Sequence, residues 1–198
     1  MPVTINGSGT ITGLSVGGLP DGIVDTDMLA DNAVTSAKST VSSPITVVNT
    51  WRINAGTSMT GTNDVIDSNW EEADTYAFGK IGTSLSQSSG VFTFPSTGQY
   101  LILSSFAIEI GSADDYGANV LIQVTTDGTN YNTSNIARTG GSLDGEHSTA
   151  SGHYILDVTN TSTHKIRWYT DSFASNTRLR GHSNEIYSYF TAIRIGDT

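Results

Sequence analysis

The feature that most constrains this chain is a series of short segments in which every second side chain is apolar. Between residues 100 and 110 the alternate positions share one face of a predicted β-strand and carry Tyr100, Ile102, Phe106, Ile108 and Ile110. Leu101 and Leu103 lie on the opposite face. We therefore predict that this part of the strand is covered on both sides.

Turn-forming residues separate that strand from several similar segments. Further strands are predicted from Asn119 to Thr125, from Tyr154 to Val158, from Lys165 to Tyr169 and from Tyr187 to Ile195. Asp127-Gly128, directly after the first of these, favours a tight hairpin turn. Thr, Ser and Asn make up a third of the chain and only 14% of residues are charged, unlike a helix bundle. The pattern predicts an all-β sandwich or jelly roll.

Charge and composition exclude several classes of function. The formal net charge of −10 argues against a nucleic-acid partner, because such a protein needs a basic surface to neutralise phosphates. The chain has no cysteine, so it has neither disulfides nor thiol nucleophiles. The first residues do not resemble a secretory signal, and no apolar run reaches the roughly 20 residues that span a bilayer. We expect a soluble protein without membrane insertion.

No motif of a known catalytic chemistry occurs in the sequence. There is no nucleophile elbow, no zinc-protease motif, no phosphate-binding loop and no dinucleotide fingerprint. Ser and Asp are so frequent that a Ser/His/Asp triad can be assembled in many ways, which makes it uninformative. We predict that the chain is not an enzyme, has no catalytic residues and uses no cofactor.

Residues 1–44 differ from the rest of the chain. They contain no aromatic residue and one basic residue, Lys38, so they cannot bury enough apolar surface to fold alone. Residues 21–30 and 31–40 form a short two-copy repeat with a period of ten residues. Either this is a flexible linker with a chance match, or it is a stem ordered by packing against its own copies or a partner. In the second case the contacts come from Ile23, Val24, Met28, Leu29 and Val34.

The stretch from Gly90 to Ile102 predicts a strand ending at Pro95, a tight turn, and a strand restarting at Gln99. The spacing of Phe92, Gly98 and Tyr100 resembles the signature of the C1q/TNF-like jelly roll. Leu85 and the closing run from Ser188 to Ile193 also fit that family, whereas Lys80, Ile102 and Ser104 depart from it. The resemblance covers residues 45–198, and a generic sandwich with the same turn is the alternative.

A second resemblance lies in the N-terminal segment. Ala30 to Lys38 reads Ala-Asp-Asn-Ala-Val-Thr-Ser-Ala-Lys, a string similar to repeats that precede the knobs of tailed-bacteriophage fibres. Both resemblances imply homotrimers. Together they imply a virion-surface fibre or appendage, made in the bacterial cytoplasm, that attaches to other virion proteins through residues 1–44 and binds a host cell-surface glycan or protein through its knob. The alternative is a capsid decoration or neck protein that binds no receptor.

Loops that combine aromatic and hydrogen-bonding side chains are the candidate ligand-binding regions, because saccharides and proteins are recognised by such mixtures. The candidates are Asp114, Asp115, Tyr116, Asn130, Tyr131, Arg178, Arg180 and His182. The Arg178 and Arg180 pair either contacts an anionic glycan or pairs with an acidic residue of a neighbouring subunit. Some of the many aromatic residues either line such a subunit interface or belong to the ordinary core.

Two acidic clusters offer oxygen ligands of the kind that Ca²⁺ prefers. One lies between Asp64 and Asp74, and the other is Asp114-Asp115. Neither has the spacing of a recognised calcium loop, so the sequence predicts a solvated acidic surface and no metal site.

Overall fold

The computed structural model of the chain describes residues 4–5, 11–12, 45–58, 64–111 and 115–198. The chain divides into two compact units, Met1–Ser42 and Ser43–Thr198. In the first unit, strands β1 (Thr4–Ile5) and β2 (Ile11–Thr12) form an antiparallel pair. The stem contacts predicted at Ile23, Val24, Met28, Leu29 and Val34 lie outside the described residues.

The second unit is built from strands and loops, and its described residues include no helix. In chain order its strands are β3 (Val48–Ile53), β4 (Thr57–Ser58), β5 (Asp64–Val65), β6 (Trp70–Glu72), β7 (Ser86–Ser88), β8 (Val91–Thr93), β9 (Gly98–Glu109), β10 (Asp115–Thr125), β11 (Asn132–Gly141), β12 (His147–Val158), β13 (Lys165–Asp171), β14 (Arg178–Leu179) and β15 (Tyr189–Gly196). The all-β prediction is confirmed. In the described part of the chain, no helix has the length and apolarity that crossing a bilayer requires.

The strands form two antiparallel sheets around one core. Sheet I has the order β12, β9, β15, β3, β6, and β14 pairs with the end of β9 and with β4. Sheet II has the order β11, β10, β13, β8, β7, and β5 pairs with the end of β13. The chain crosses from sheet I to sheet II after β9 and returns before β12. This exchange of consecutive strands between two sheets is the arrangement of a jelly roll.

Strand β9 defines the two ends of the sandwich. It runs from Gly98 to Glu109 and pairs with β12 along its whole length. Gly196 of β15 pairs with Gln99, and β3 begins beside the same part of β15. Residue 45 and the C-terminus therefore lie at the Gly98 end, which we call the near end. The end at Glu109 is the far end.

Aromatic side chains from both sheets meet in the core. Phe92 of sheet II contacts Trp70 and Phe190 of sheet I edge-on, with ring centroids 5.1 and 4.7 Å apart. Trp168 of sheet II stacks on Phe190 at 4.0 Å. Edge-to-face and offset pairs are the preferred aromatic geometries, so these rings fix how the sheets pack. Most of the aromatics thus belong to the ordinary core, while Tyr76 and Phe78 are exposed.

The motif that carried the family resemblance sits at the near end of this core. Phe92 and Tyr100 are fully buried, and Leu85 is buried as well. Gly98 has a φ of +140°, which side-chain-bearing residues rarely adopt. A Cβ at Gly98 would lie 2.7 Å from the carbonyl oxygen of Gly196. The predicted break between two strands is confirmed, because β8 ends at Thr93 and β9 begins at Gly98.

Three features differ from the expectations. Strand β11 was not predicted, because only Ala137 of its ten residues is buried and it therefore lacks apolar alternation. The β10–β11 hairpin forms, but its loop runs from 126 to 131 and is not a tight two-residue turn. Leu103 is 40% exposed, so the expectation that β9 is covered on both sides is not met within one chain.

Candidate functional site

The predicted ligand-binding residues do not form one site. Five of them lie at the far end, where β10 begins beside Gly141 and β14 begins beside Glu109: Asp115, Tyr116, Arg178, Arg180 and His182. Asn130 and Tyr131 lie at the near end, in the loop between β10 and β11. Asp114 lies outside the described residues. The structure thus separates two groups that the sequence placed in a single class.

A carboxylate organises the far end. Glu109, the last residue of β9, receives hydrogen bonds from Nη2 of Arg178 at one oxygen and from Nη1 of Arg180, 2.6 Å away, at the other. Nε2 of His147 lies 3.5 Å from the same carboxylate and 3.1 Å from Nη1 of Arg180. Burial would raise the pKa of Glu109, but the two guanidinium groups outweigh it and hold the pKa below its ordinary value.

The pairing partner of both arginines is therefore in the same chain. Part of the expectation was that Arg178 and Arg180 pair with a neighbouring subunit, but Glu109 occupies a terminal nitrogen of each. Two guanidinium groups face one carboxylate, so the cluster of Arg178, Arg180 and Glu109 keeps one uncompensated positive charge. A groove of about 310 Å³ lies between these side chains and is also lined by Gly56 and Gly181. It has the charge and size for a small anionic group.

His182 and Tyr187 form the other half of the far end. Their rings meet edge-on at 5.7 Å, and the Arg180 guanidinium lies 5.3 Å from the Tyr187 ring centre. Nδ1 of His182 accepts hydrogen bonds from the backbone of Asn184 and Glu185, which fixes the imidazole. Hydrogen bonding and charge from Glu185 raise the pKa of Tyr187. These contacts order the loop before β15 against the arginines.

Asp115 and Tyr116 have opposite roles. Asp115 is buried, and its carboxylate accepts hydrogen bonds from the backbone nitrogens of Ala174, at 2.8 Å, and Gly117, at 3.3 Å. A carboxylate used in this way holds two loops together and is not available to a ligand. Tyr116, by contrast, is 71% exposed. Of these two predicted residues, only Tyr116 is placed to meet a partner.

At the near end, Asn130 and Tyr131 also differ. The side chain and backbone of Asn130 donate to the Asp127 carboxylate, so Asn130 closes the hairpin loop. Tyr131 covers the Arg167 guanidinium, 3.9 Å from its ring centre. Burial raises the pKa of Tyr131 against the opposing charge of Arg167. Tyr131 thus belongs to the outer surface of sheet II.

Three acids of the cluster of residues 64–74 form ion pairs or hydrogen bonds through their side chains: Glu71, Glu72 and Asp74. Glu72 accepts from Lys80, Ser84 and Asn49. Burial would raise the pKa of Glu72, but these bonds and the Lys80 charge lower it. Glu71 lies 2.7 Å from the fully buried Arg52. In the described ranges, no three His, Cys, Asp or Glu side chains converge as a metal site would require.

Sequence reasoning missed several residues that organise these surfaces. Glu109 lies at the end of an apolar strand, where a polar residue is ordinary, so it gave no signal. Arg52 is an isolated charge among β-forming residues, and it gave no signal either. Arg167 gave a weak signal, because it alternates with the apolar residues of the segment from Lys165 to Tyr169. No sequence signal indicated that Arg138 shares a surface with Arg167, since β11 itself was not predicted.

Comparison with known proteins gives a fold and no close relative. No family model matches the sequence, and no curated protein matches it. Murine APRIL at pH 8.5 is similar in structure, with a TM-score of 0.53 at 11% identity over 75% of this chain and 98% of that chain. Eiger TNF from S. frugiperda has a TM-score of 0.57 at 11% identity over 79% and 96%. The second unit is a TNF-like jelly roll, as the motif at Phe92, Gly98 and Tyr100 predicted.

Proposed function

We propose that the protein is a homotrimeric bacteriophage virion-surface appendage. In this proposal residues 1–44 attach it to other virion proteins and form a short stem, and residues 45–198 form a knob that recognises the host surface. It is made in the bacterial cytoplasm and resides on the particle. The string from Ala30 to Lys38 supports the virion assignment. The jelly-roll fold and the outer face of sheet I, described next, support self-association.

The outer face of sheet I is the observation that carries this proposal. Five aliphatic residues form one row across this face. They lie directly opposite one another on β3, β15, β9 and β12 and at an isolated bridge beside β3: Ile81, Val48, Ile193, Leu101 and Ile155. Ile155 is 55% exposed and Ile81 is exposed as well. Soluble monomers seldom leave a continuous apolar strip of this kind facing water. A second and third copy of the chain would cover it.

The same face lacks charge over its middle. The outward positions 101–107 of β9, 149–155 of β12 and 189–195 of β15 carry no Asp, Glu, Lys or Arg. Depletion of charged residues at the centre of a surface is the compositional mark of an interface core. The other outward positions mix small polar side chains such as Ser105 and Ser151 with the larger, uncharged His153 and Tyr189.

A trimer would make the knob a multivalent binder. Within the knob, the far end carries Tyr116, Arg178, Arg180 and His182, and in this proposal these residues contact the host surface. Three weak sites on each knob, and several knobs on a particle, raise the apparent affinity without any tight single contact. The proposed activity is therefore non-covalent recognition.

Light scattering of the purified full chain tests self-association. We expect a trimer, and we expect Ile155→Asp to dissociate it, because a carboxylate would then be buried in the interface. Ile136→Asp is the matched control, since Ile136 is similarly exposed, at 59%, but lies in sheet II. A wild-type monomer, or equal dissociation by both substitutions, would contradict the assigned interface.

Localisation and competition test the biological role. Antibody labelling should find the protein on phage particles, and the purified chain should bind host cells and block infection. Labelling that covers the capsid without any cell binding would instead favour a decoration protein. Absence from particles would refute the virion assignment altogether.

A further inference from the structure

Three cations are unpaired on the outer surface of sheet II. Lys165 and Arg167 lie on β13 and Arg138 lies on β11. Among the described residues, every other Lys and Arg forms an ion pair with Asp or Glu: Arg52, Lys80, Arg178, Arg180 and Arg194. A chain with a net charge of −10 has ample acid to neutralise three more cations. We call the surface that they share the arginine face.

Two amides on the intervening strand hold the arginines in fixed orientations. Nε of Arg138 donates to Asn119 at 2.9 Å, and Nε of Arg167 donates to Gln123 at 2.8 Å. Asn119 and Gln123 lie on the same face of β10, four residues apart. Each arginine thus uses its Nε for this supporting hydrogen bond. In the described structure, the two terminal nitrogens of Arg138 and those of Arg167 form no hydrogen bond to another side chain.

This orientation prepares each guanidinium for an anion. The two terminal nitrogens of Arg form a planar fork that matches a carboxylate, and a fork held in advance loses little conformational entropy on binding. Arg138 and Arg167 are separated by two strand spacings and four residues along the strand, roughly 16 Å in all. One small anion cannot reach both. One carboxylate, Asp171, shares this face and accepts a hydrogen bond from Asn119 at 3.3 Å. The three cations outnumber it, so the face fits an extended ligand that carries repeated negative charges.

Aromatic and amide groups between the cations indicate the kind of ligand. Tyr131 and Tyr169 flank the Arg167 guanidinium, with ring centres 3.9 and 5.8 Å away. Gln123 and Thr133 add hydrogen-bonding groups beside them. The only strongly exposed aliphatic residue of these three described strands is Ile136, too little for the apolar centre of a protein interface.

We propose that the arginine face binds an acidic polysaccharide, with Arg138 and Arg167 each engaging a carboxylate of the sugar chain and Tyr131 and Tyr169 contacting sugar rings beside Arg167. Lys165 adds positive charge at the near end of the same strand. This site lies on the side of the sandwich, apart from the far-end groove at Glu109, and it does not depend on the virion assignment. It also differs from the aliphatic row, which lies on the opposite sheet.

Calorimetric titration of the full chain with polygalacturonate at 0.15 M salt tests the site. We expect Arg138→Gln and Arg167→Gln each to weaken binding about tenfold, because each removes a charge-assisted pair. Arg167→Lys should also weaken binding severalfold, since lysine keeps the charge but loses the fork. Lys80→Gln is the matched control: it makes the same change in net charge outside the face, and its binding should match that of the wild type. Thermal melting of each variant confirms that it is folded.

Three other polymers decide what the face recognises. Neutral dextran should not bind, and polyglutamate, which carries carboxylates without sugar rings, should bind much more weakly than polygalacturonate. Single-stranded poly-dT should also bind weakly. The proposal is overturned if polygalacturonate does not bind, if polyglutamate or poly-dT binds equally well, if Lys80→Gln weakens binding as much as Arg167→Gln, or if Arg167→Lys binds like the wild type.

Discussion

Substitution of Gly98 by alanine should destabilise the knob strongly, although it adds a single methyl group. The φ of +140° is unfavourable for any residue with a side chain, at a cost of about 1–3 kcal/mol. The new Cβ would also lie 2.3 Å from Nε of Arg194 and 2.7 Å from the Gly196 carbonyl oxygen. The flexible Arg194 side chain can move aside, but the carbonyl belongs to β15 and must shift with it. Such overpacking costs about 1–3 kcal/mol more.

The sum is a loss of about 4 kcal/mol in the free energy of unfolding, which corresponds to a fall in Tm of roughly 10 °C for a chain of this length. Urea unfolding followed by tryptophan fluorescence measures the loss in the free energy of unfolding, and scanning calorimetry at one fixed protein concentration measures the fall in Tm. Gly98→Val adds further atoms at the same place and should give no folded protein.

Gly196→Ala is the matched control, because it makes the same chemical change on the neighbouring strand. A Cβ at Gly196 meets no atom within 4 Å, and its φ is not positive. Alanine there should be neutral or stabilise the fold by up to about 1 kcal/mol. If Gly98→Ala and Gly196→Ala have equal effects, or if Gly98→Val folds stably, the assigned turn geometry is wrong.

Three further predictions concern the core and the far end. Arg52→Met should lower the free energy of unfolding in urea by about 3 kcal/mol, because the carbonyls of His182 and Ser183 lose charge-assisted hydrogen bonds of 2.6 and 2.7 Å. Glu71→Gln, at the more exposed end of the ion pair, should lower it by less than about 1 kcal/mol. Phe92→Ala should cost about 3–5 kcal/mol, and Phe78→Ala on the surface less than about 0.5 kcal/mol, in the same assay. The lowered pKa of Glu109 means that its ionised form stabilises the folded state, so this contribution is present at neutral pH and is lost as pH falls below the ordinary pKa of 4.5. Glu109→Gln should therefore flatten the acid side of a stability–pH profile. An unchanged profile would show that the ion pairs do not stabilise the fold.

Local sequence patterns predicted the strands that have a strongly apolar face. The alternation from Tyr100 to Ile110 corresponds to β9, and the turn at Gly98 follows from a backbone conformation that few residues other than glycine adopt. Strand β11 escaped prediction because it is an edge strand with one buried side chain, Ala137. Its position comes from hydrogen bonds to β10, which local composition does not encode.

The candidate sites were harder to predict than the strands. The sequence selected residue types suited to recognition, yet Asp115 and Asn130 hold loops together, and Arg178 shares its acidic partner, Glu109, with Arg180. Whether a polar side chain faces a ligand or a neighbouring backbone depends on groups that are distant in the chain. Glu109 and Arg178 are 69 residues apart, so the local sequence around either residue does not indicate that they form an ion pair.

The sequence by itself determined the all-β class and the strand break at Gly98, because these follow from short-range apolar periodicity and from the steric limits of single residues. The jelly-roll fold was indicated by the resemblance of the Phe92, Gly98 and Tyr100 spacing to a known signature. Only the tertiary structure decided which charges are satisfied. It brought Glu109 to Arg178 and Arg180 at the far end, and it left Arg138 and Arg167 on two strands with their guanidinium ends unpaired. Ion pairing acts over a few ångströms in space regardless of separation along the chain, and only the packed sheets fix those distances.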